Sequence, residues 1–193
     1  MKKKLITSTL AALVLAATFQ TAALADDPIN PVQGAVCNLY SLEVPKGGKE
    51  FSEFADKVPQ QPAAATFVDT DSNFKTVGKR SDIQSNVGMW TGWLKVEKSS
   101  VYTFLCQRGY NGEPNYYRYS IWVNGKSCIV AGYGQTSFNV DLNAGFNSVK
   151  IIAGAISYFG YATCPISITY KKAGSVKDPV SFGPADMWYD DEE

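Results

Sequence analysis

Apolar and polar residues alternate in short runs along most of the chain, and the alternation is densest between residues 89 and 133. In the first run of this stretch, Trp90, Leu94 and Val96 share one parity. The following runs repeat the pattern with Tyr102, Phe104 and Cys106, and then with Tyr117, Tyr119, Ile121 and Val123. Side chains two residues apart lie on the same face of a strand, so each run can bury one face. We predict that this stretch forms a contiguous antiparallel meander.

Turn residues separate the runs. Asn124-Gly125 predicts a hairpin, because a type I′ turn requires a positive φ at both central residues. Further strands are predicted over 35–42, 63–68, 137–142 and 146–153 and from Cys164 to Tyr170. Residues 51–58 have apolar positions at helical spacing, and the prolines that follow end that pattern. Many short strands without a long helical pattern indicate an all-β sandwich or barrel.

The start of the sequence has a different pattern. Lys2, Lys3 and Lys4, an apolar run over 10–17 and Ala23-Leu24-Ala25 are the three parts of a signal peptide, so we interpret residues 1–25 as a targeting segment. We therefore expect the mature protein to be secreted, periplasmic or at the cell surface. No second apolar stretch follows, so we expect no membrane insertion.

Two further segments lie outside the predicted strands. Residues 26–33 contain two prolines and are interpreted as an N-terminal lead, and 173–193 as an acidic, aromatic C-terminal tail. The tail begins like a linker but carries Trp188 and Tyr189, which disordered segments usually lack. It either docks on its own domain, serves as a motif for a partner, or frays. Because of the linker-like start, we expect deletion of Gly174 to Glu193 to leave the melting temperature nearly unchanged but to weaken any partner interaction.

The charge and the ionisable residues exclude several functions. The chain has 18 basic and 18 acidic residues, and removing Lys2, Lys3 and Lys4 leaves 15 against 18, a net charge of −3. This balance argues against nucleic acid or an anionic membrane surface as a partner. The chain has no His, which removes the commonest general base and zinc ligand. We therefore expect no enzymatic activity and no bound metal.

Five pieces of the sequence, in order, resemble the anthrax protective-antigen-type domain, a β-sandwich carbohydrate-recognition module. They are the strand at 34–40, Phe67-Val68-Asp69 to Asn73-Phe74, Trp90-Thr91-Gly92-Trp93 with Tyr102-Thr103-Phe104, Ile121-Trp122-Val123-Asn124-Gly125-Lys126, and Leu142-Asn143-Ala144-Gly145-Phe146. The resemblance covers residues 34–172. It implies a single-domain antiparallel β-sandwich that binds extracellular carbohydrate. The alternative is a structural subunit of a surface complex with a protein partner, and the oligomeric state stays open.

Candidate ligand-binding residues lie in three loops rich in aromatic and amide side chains. They are Tyr110, Asn111, Glu113, Asn115 and Tyr116 in the first loop, Tyr133 and Gln135 in the second, and Tyr158 and Tyr161 in the third. Such side chains suit the apolar C–H faces and hydroxyls of sugars. The alternative is that these loops are solvated and their tyrosines pack back onto the sheet.

Two other sets of polar residues suggest cation binding. Calcium-dependent members of the resembled family carry two consecutive Asp in the first loop, and this chain has none there. Calcium prefers several carboxylate oxygens, so we expect no cofactor, although Asn111, Glu113 and Asn115 leave calcium as an alternative. Asp69 and Asp71 form either a cation or acid–base pair or a simple Asx turn.

The four cysteines, Cys37, Cys106, Cys128 and Cys164, are an even number, which favours disulfides in an exported protein. Sequence alone leaves three pairings open. The resemblance implies that the first and last strands lie side by side, which predicts Cys37–Cys164. Cys106 and Cys128 would then form a second bridge at the base of the first loop.

Overall fold

The computed structural model describes residues 27–45, 48–72, 74–76, 85–108, 117–130, 136–155 and 164–191, and statements about the structure concern these residues. They form two antiparallel β-sheets with an apolar core between them. The predicted fold class, an all-β antiparallel sandwich in one domain, is confirmed. No helix in the described ranges combines the length and apolarity needed to cross a membrane.

The described residues contain thirteen strands and one α-helix. In chain order these are β1 (Pro31–Gln33), β2 (Ala35–Tyr40), α1 (Gly48–Lys57), β3 (Ala65–Asp69), β4 (Phe74–Thr76), β5 (Val87–Val96), β6 (Ser100–Arg108), β7 (Tyr117–Val123), β8 (Lys126–Val130), β9 (Thr136–Leu142), β10 (Gly145–Ala155), β11 (Cys164–Lys172), β12 (Val180–Phe182) and β13 (Met187–Asp190). The first sheet has the order β1-β13-β5-β10-β7-β8, and β2 pairs with β3 and β5. The second has the order β12-β11-β6-β9, and β4 pairs with β11.

The predicted contiguous meander over residues 89–133 is wrong. β5 belongs to the first sheet and pairs with β10, whereas β6 belongs to the second and pairs with β9 and β11. Within this stretch, the hairpin of β7 and β8 is confirmed, with φ of 49° at Asn124 and 73° at Gly125. Alternation shows which face of a strand is buried and does not identify the partner strand.

The core between the sheets is built from the residues of one parity. Trp90, Leu94 and Val96 of β5 are buried there, as the alternation predicted, against Phe104 of β6 and Ile168 of β11. The edge of the Phe74 ring meets Trp90, with the two centroids 5.5 Å apart. Trp93 has the opposite parity and lies on the outer face of the first sheet, where Trp188 is its register partner.

Helix α1 covers part of that outer face. Its apolar residues Phe51 and Ala55, with Val58 in the 3₁₀ turn that follows, are fully buried. They cluster with outer-face residues of the sheet, namely Tyr40, Met89, Trp122 and Ile152. The helical spacing over residues 51–58 therefore predicted both the helix and its buried face.

The described parts of residues 26–33 and 173–193 contribute strands to the two sheets. β1 pairs with β13, and β13 also pairs with β5 through Trp188 and Trp93. Phe182 and Met187 are buried in the core. A Cβ at Gly92 would lie 2.5 Å from the carbonyl oxygen of Trp188, so this glycine permits the close approach of β13. The tail docks on its own domain, which was one of the three alternatives.

Candidate functional site

One end of the sandwich collects the strand termini that flank all three candidate loops. These termini are Arg108, Tyr117, Val130, Thr136, Ala155 and Cys164, and we call this the loop end. The register brings them together, since Ala155 pairs with Tyr117, and β9 and β11 both begin beside the end of β6. Short connections over 97–99 and 143–144 join the two sheets at the opposite end, so the loop termini of both sheets lie on the same side.

The candidate residues themselves occupy the segments between these termini. Tyr110, Asn111, Glu113, Asn115 and Tyr116 lie in 109–116, Tyr133 and Gln135 in 131–135, and Tyr158 and Tyr161 in 156–163, all outside the described residues. The structure thus locates where the three segments start and finish. Their assignment as ligand-binding residues stays a prediction, as does calcium binding by the first segment.

The opposite end, which we call the turn end, is closed by the connections 97–99, 124–125 and 143–144. The amide of buried Asn147 joins two of these connections. Its Oδ1 accepts hydrogen bonds from the Asn143 backbone N–H and from Asn124 Nδ2, each at 3.0 Å. Its Nδ2 donates to the carbonyl oxygen of Asn143 at 2.8 Å. These bonds give partners to the backbone N–H and C=O of Asn143, so side-chain amides stabilise the connections at this end.

Two cysteines lie just inside the loop end. Cys106 is fully buried on β6 of the second sheet, and Cys128 on β8 of the first sheet packs against the same core. Both are thiols in the structure, so the predicted Cys106–Cys128 disulfide is not formed there. Burial raises the pKa of the Cys106 thiol to about 12, and the charge of the neighbouring Cys128 acts in the same direction. The two residues therefore lie at the same core, on strands of opposite sheets.

The argument for a Cys37–Cys164 disulfide rested on a wrong pairing of strands. β2, which carries Cys37, pairs with β3 and β5 in the first sheet. Cys164 begins β11, which pairs with β4, β6 and β12 in the second sheet. The first and last predicted strands thus lie in opposite sheets and not side by side. The Cys164 side chain is outside the described residues, so this bridge stays a prediction, now as a link between sheets.

The Asp69 and Asp71 pair forms an Asx turn. Asp69 Oδ1 accepts the backbone N–H of Asp71 at 3.0 Å. The other carboxylate oxygen of Asp69 accepts the indole N–H of Trp90 at 2.9 Å, and Asp69 is buried. This bond satisfies the polar edge of the largest buried side chain. Within the described ranges, no group of three or more His, Cys, Asp or Glu forms a possible metal site.

The fold is that of solved sugar-binding and adhesin domains. The PA14 sugar-binding domain of an RTX adhesin superposes with a TM-score of 0.56 at 17% identity, over 82% of this chain and 99% of that one. The PA14 domain of the antifreeze protein MpAFP gives 0.58 at 13% identity, over 86% and 96%. No family model matches the sequence, and no curated protein does either.

A third similar structure contains a bound glycan. It is the epithelial adhesin 9 A domain of Candida glabrata in complex with Galβ1-3GlcNAc, with a TM-score of 0.53 at 8% identity, over 86% of this chain and 94% of that one. At such identities the likeness establishes the fold. The chain therefore has the β-sandwich fold found in PA14 and adhesin A domains.

Proposed function

We propose that the protein is a non-enzymatic carbohydrate-binding module whose glycan site lies at the loop end. The observation that carries this proposal is that the termini of 109–116, 131–135 and 156–163 meet at one end of the sandwich. These segments carry all nine candidate residues. A rigid two-sheet scaffold that presents several loops on one side is a common arrangement for binding.

The chemistry of these segments supports a sugar ligand. Tyrosine rings offer flat apolar surfaces for C–H faces, and Asn, Gln and Glu side chains offer hydrogen-bond partners for hydroxyl groups. The solved structures of the same fold include domains described as sugar-binding and one with a bound galactoside. Export to the periplasm, the cell surface or the medium belongs to the same proposal, because the three-part signal pattern of residues 1–25 supports it.

The absence of catalysis is part of this proposal. The chain lacks His, and the buried Asp69 carboxylate is engaged by Trp90 and by the Asx turn. The alternative function, a structural subunit with the C-terminal tail as a partner motif, has less support. β12 and β13 hold that segment in both sheets, so a motif there would have to leave the fold to be read.

The test is a glycan array followed by calorimetric titration of the mature protein with the best ligands, with and without calcium. Tyr110→Ala and Asn115→Ala are each expected to weaken binding about tenfold or more, which is typical of central contact residues. Asn139→Ala is the matched control, since Asn139 is an exposed amide on β9 away from the loop end. Its affinity should equal that of the wild type. The proposal fails if no glycan binds under either condition.

A further inference from the structure

The outer face of the first sheet carries a group of aromatic and basic side chains that lies apart from the three loops of the proposed glycan site. Helix α1 covers the outer face beside β7, whereas the part over the ends of β5, β10 and β13 stays partly open. Four residues define this region, which we call the aromatic–lysine face: Trp93, Lys95, Phe146 and Trp188. The register brings them together, because Lys95 pairs with Phe146 and Trp93 with Trp188.

The four side chains form a compact surface with a cation above aromatic rings. The Lys95 Nζ lies 5.1 Å from the centroid of the Phe146 ring and 5.9 Å from that of Trp188. The two rings meet edge to face, with their centroids 6.1 Å apart. Lys95 is exposed and both rings are half-buried. Trp93, the register partner of Trp188, is only 7% exposed. A ligand can therefore reach the ammonium group and the two rings together.

On one side of this face, the neighbouring side chains are polar or cationic. Thr91 and Ser148 lie on the same face of the sheet, beside Trp93. Lys150, next to Thr91, is a second cation, and its Nζ lies 4.2 Å above the ring of Trp122. Burial lowers the pKa of Lys150, and the nearby Asp56 opposes this effect.

Two acidic residues flank this face, exposed Glu97 two positions beyond Lys95 and Asp190 two positions beyond Trp188. The Asp190 carboxylate accepts the backbone N–H groups of Ile29 and Asn30, at 3.1 and 2.8 Å. That negative charge is therefore engaged in holding the N-terminal strand. Glu97 lies beyond the end of β5, in the connection 97–99, so the charge within the four residues of the face is that of Lys95. The positive charge of Lys95 within the face matches an anionic ligand.

We propose that the aromatic–lysine face is a second binding site, which takes a segment of an acidic polysaccharide. A pyranose ring lies against Trp188 and Phe146, its carboxylate or sulfate group contacts Lys95, and its hydroxyl groups bond to the neighbouring polar side chains. Aromatic rings beside an ammonium group suit this combination, because sugars have apolar faces and acidic sugars add a charge. The site lies at the turn end and does not depend on the glycan site proposed at the loop end.

The test titrates the mature protein, in low salt, with polygalacturonate, heparin and neutral dextran, and follows tryptophan fluorescence and calorimetry. We expect binding of one or both polyanions, none of dextran, and weakening by added salt. The carboxylate and sulfate polymers distinguish the two possible anionic groups. Lys95→Gln is expected to weaken binding about fivefold, since it removes the charge and keeps a polar side chain.

Lys98→Gln is the matched control, because Lys98 is exposed in the adjacent turn and stands off the face. It should bind the polyanion as the wild type does. Phe146→Ser tests the aromatic part with a melting curve as a check of folding, and it should weaken binding without changing the salt slope. The proposal is overturned if neither polymer binds, if Lys98→Gln weakens binding as much as Lys95→Gln does, or if the loop substitution Tyr110→Ala abolishes binding of the polyanion.

Discussion

The two ends of the sandwich differ in how the chain reverses. At the turn end, connections of two or three residues join strands that follow each other in the chain, and Asn147 bonds to the backbone of one connection and the side chain of another. At the loop end, longer segments over 109–116, 131–135 and 156–163 join the sheets. Short turns with satisfied backbone groups hold the register, whereas long connections tolerate variation and carry binding residues. The comparison predicts that substitutions in the short connections of the turn end change stability and that those in the long connections of the loop end change binding.

The largest effect should come from the C-terminal segment, which runs from the turn end through both sheets. Removing residues 180–193 takes Phe182 and Met187 out of the core and deletes β12 and β13. Since truncating one such side chain costs about 2–5 kcal/mol, we expect the free energy of unfolding to fall by more than about 4 kcal/mol in urea titrations. This reverses the expectation from sequence that the melting temperature would barely change.

A milder variant keeps this prediction measurable if the truncated chain does not fold. Met187→Ala should cost about 2–4 kcal/mol because Met187 is fully buried. Val176→Ser is its control, since Val176 is fully exposed in the connection between β11 and β12. A truncated protein that melts with the full-length chain would show that the C-terminal strands add nothing to the fold.

The second prediction concerns the loop end. Oxidation by a disulfide such as oxidised glutathione should join Cys106 to Cys128, releasing two equivalents of reduced glutathione, and the loop-entropy model gives about 3 kcal/mol of stabilisation. Comparison of the wild type with Cys128→Ser under oxidising and reducing conditions measures it. In the reduced protein, Cys106 should resist alkylation at pH 8, because a pKa of about 12 leaves little thiolate. Peptide mapping that finds Cys106 bridged to any other cysteine would contradict the pairing.

The third prediction tests the amide that locks the turn end. Asn147→Ala removes its part-buried hydrogen bonds to Asn143 and Asn124, including both bonds to the backbone of Asn143. We expect a loss of about 2–3 kcal/mol in the free energy of unfolding and unchanged glycan affinity. Asn139→Ala, which removes an exposed amide that accepts one hydrogen bond from Thr103, should cost less than about 0.5 kcal/mol. Equal losses of unfolding free energy in the two variants would show that the Asn147 hydrogen bonds do not stabilise the turn end.

The smallest effect is expected at the β7–β8 turn. Gly125 has φ of 73°, and no atom within 4 Å would touch an added Cβ, so Gly125→Ala measures the backbone cost alone. We expect a loss of about 1 kcal/mol by thermal melting. A substitution without any cost would mean that the turn relaxes to another geometry.

The sequence by itself determined the local features of this protein. The all-β class, the helix over residues 51–58, the Asn124-Gly125 hairpin and the buried parity of Trp90 follow from side-chain periodicity and turn chemistry, which act over a few residues. The same signals identified the three loops with candidate sugar-binding residues. The residue types of these loops indicate what they can bind. The positions of the loops relative to one another depend on which strands pair.

Only the tertiary structure decided the long-range features. It placed β5 and β6 in different sheets, inserted β13 beside β5, and brought Cys106 and Cys128 to one core from opposite sheets. It also assembled the aromatic–lysine face from residues far apart in the chain. Strand pairing is governed by the burial of both faces of all strands at once, and one strand's alternation specifies a buried face without specifying its neighbour.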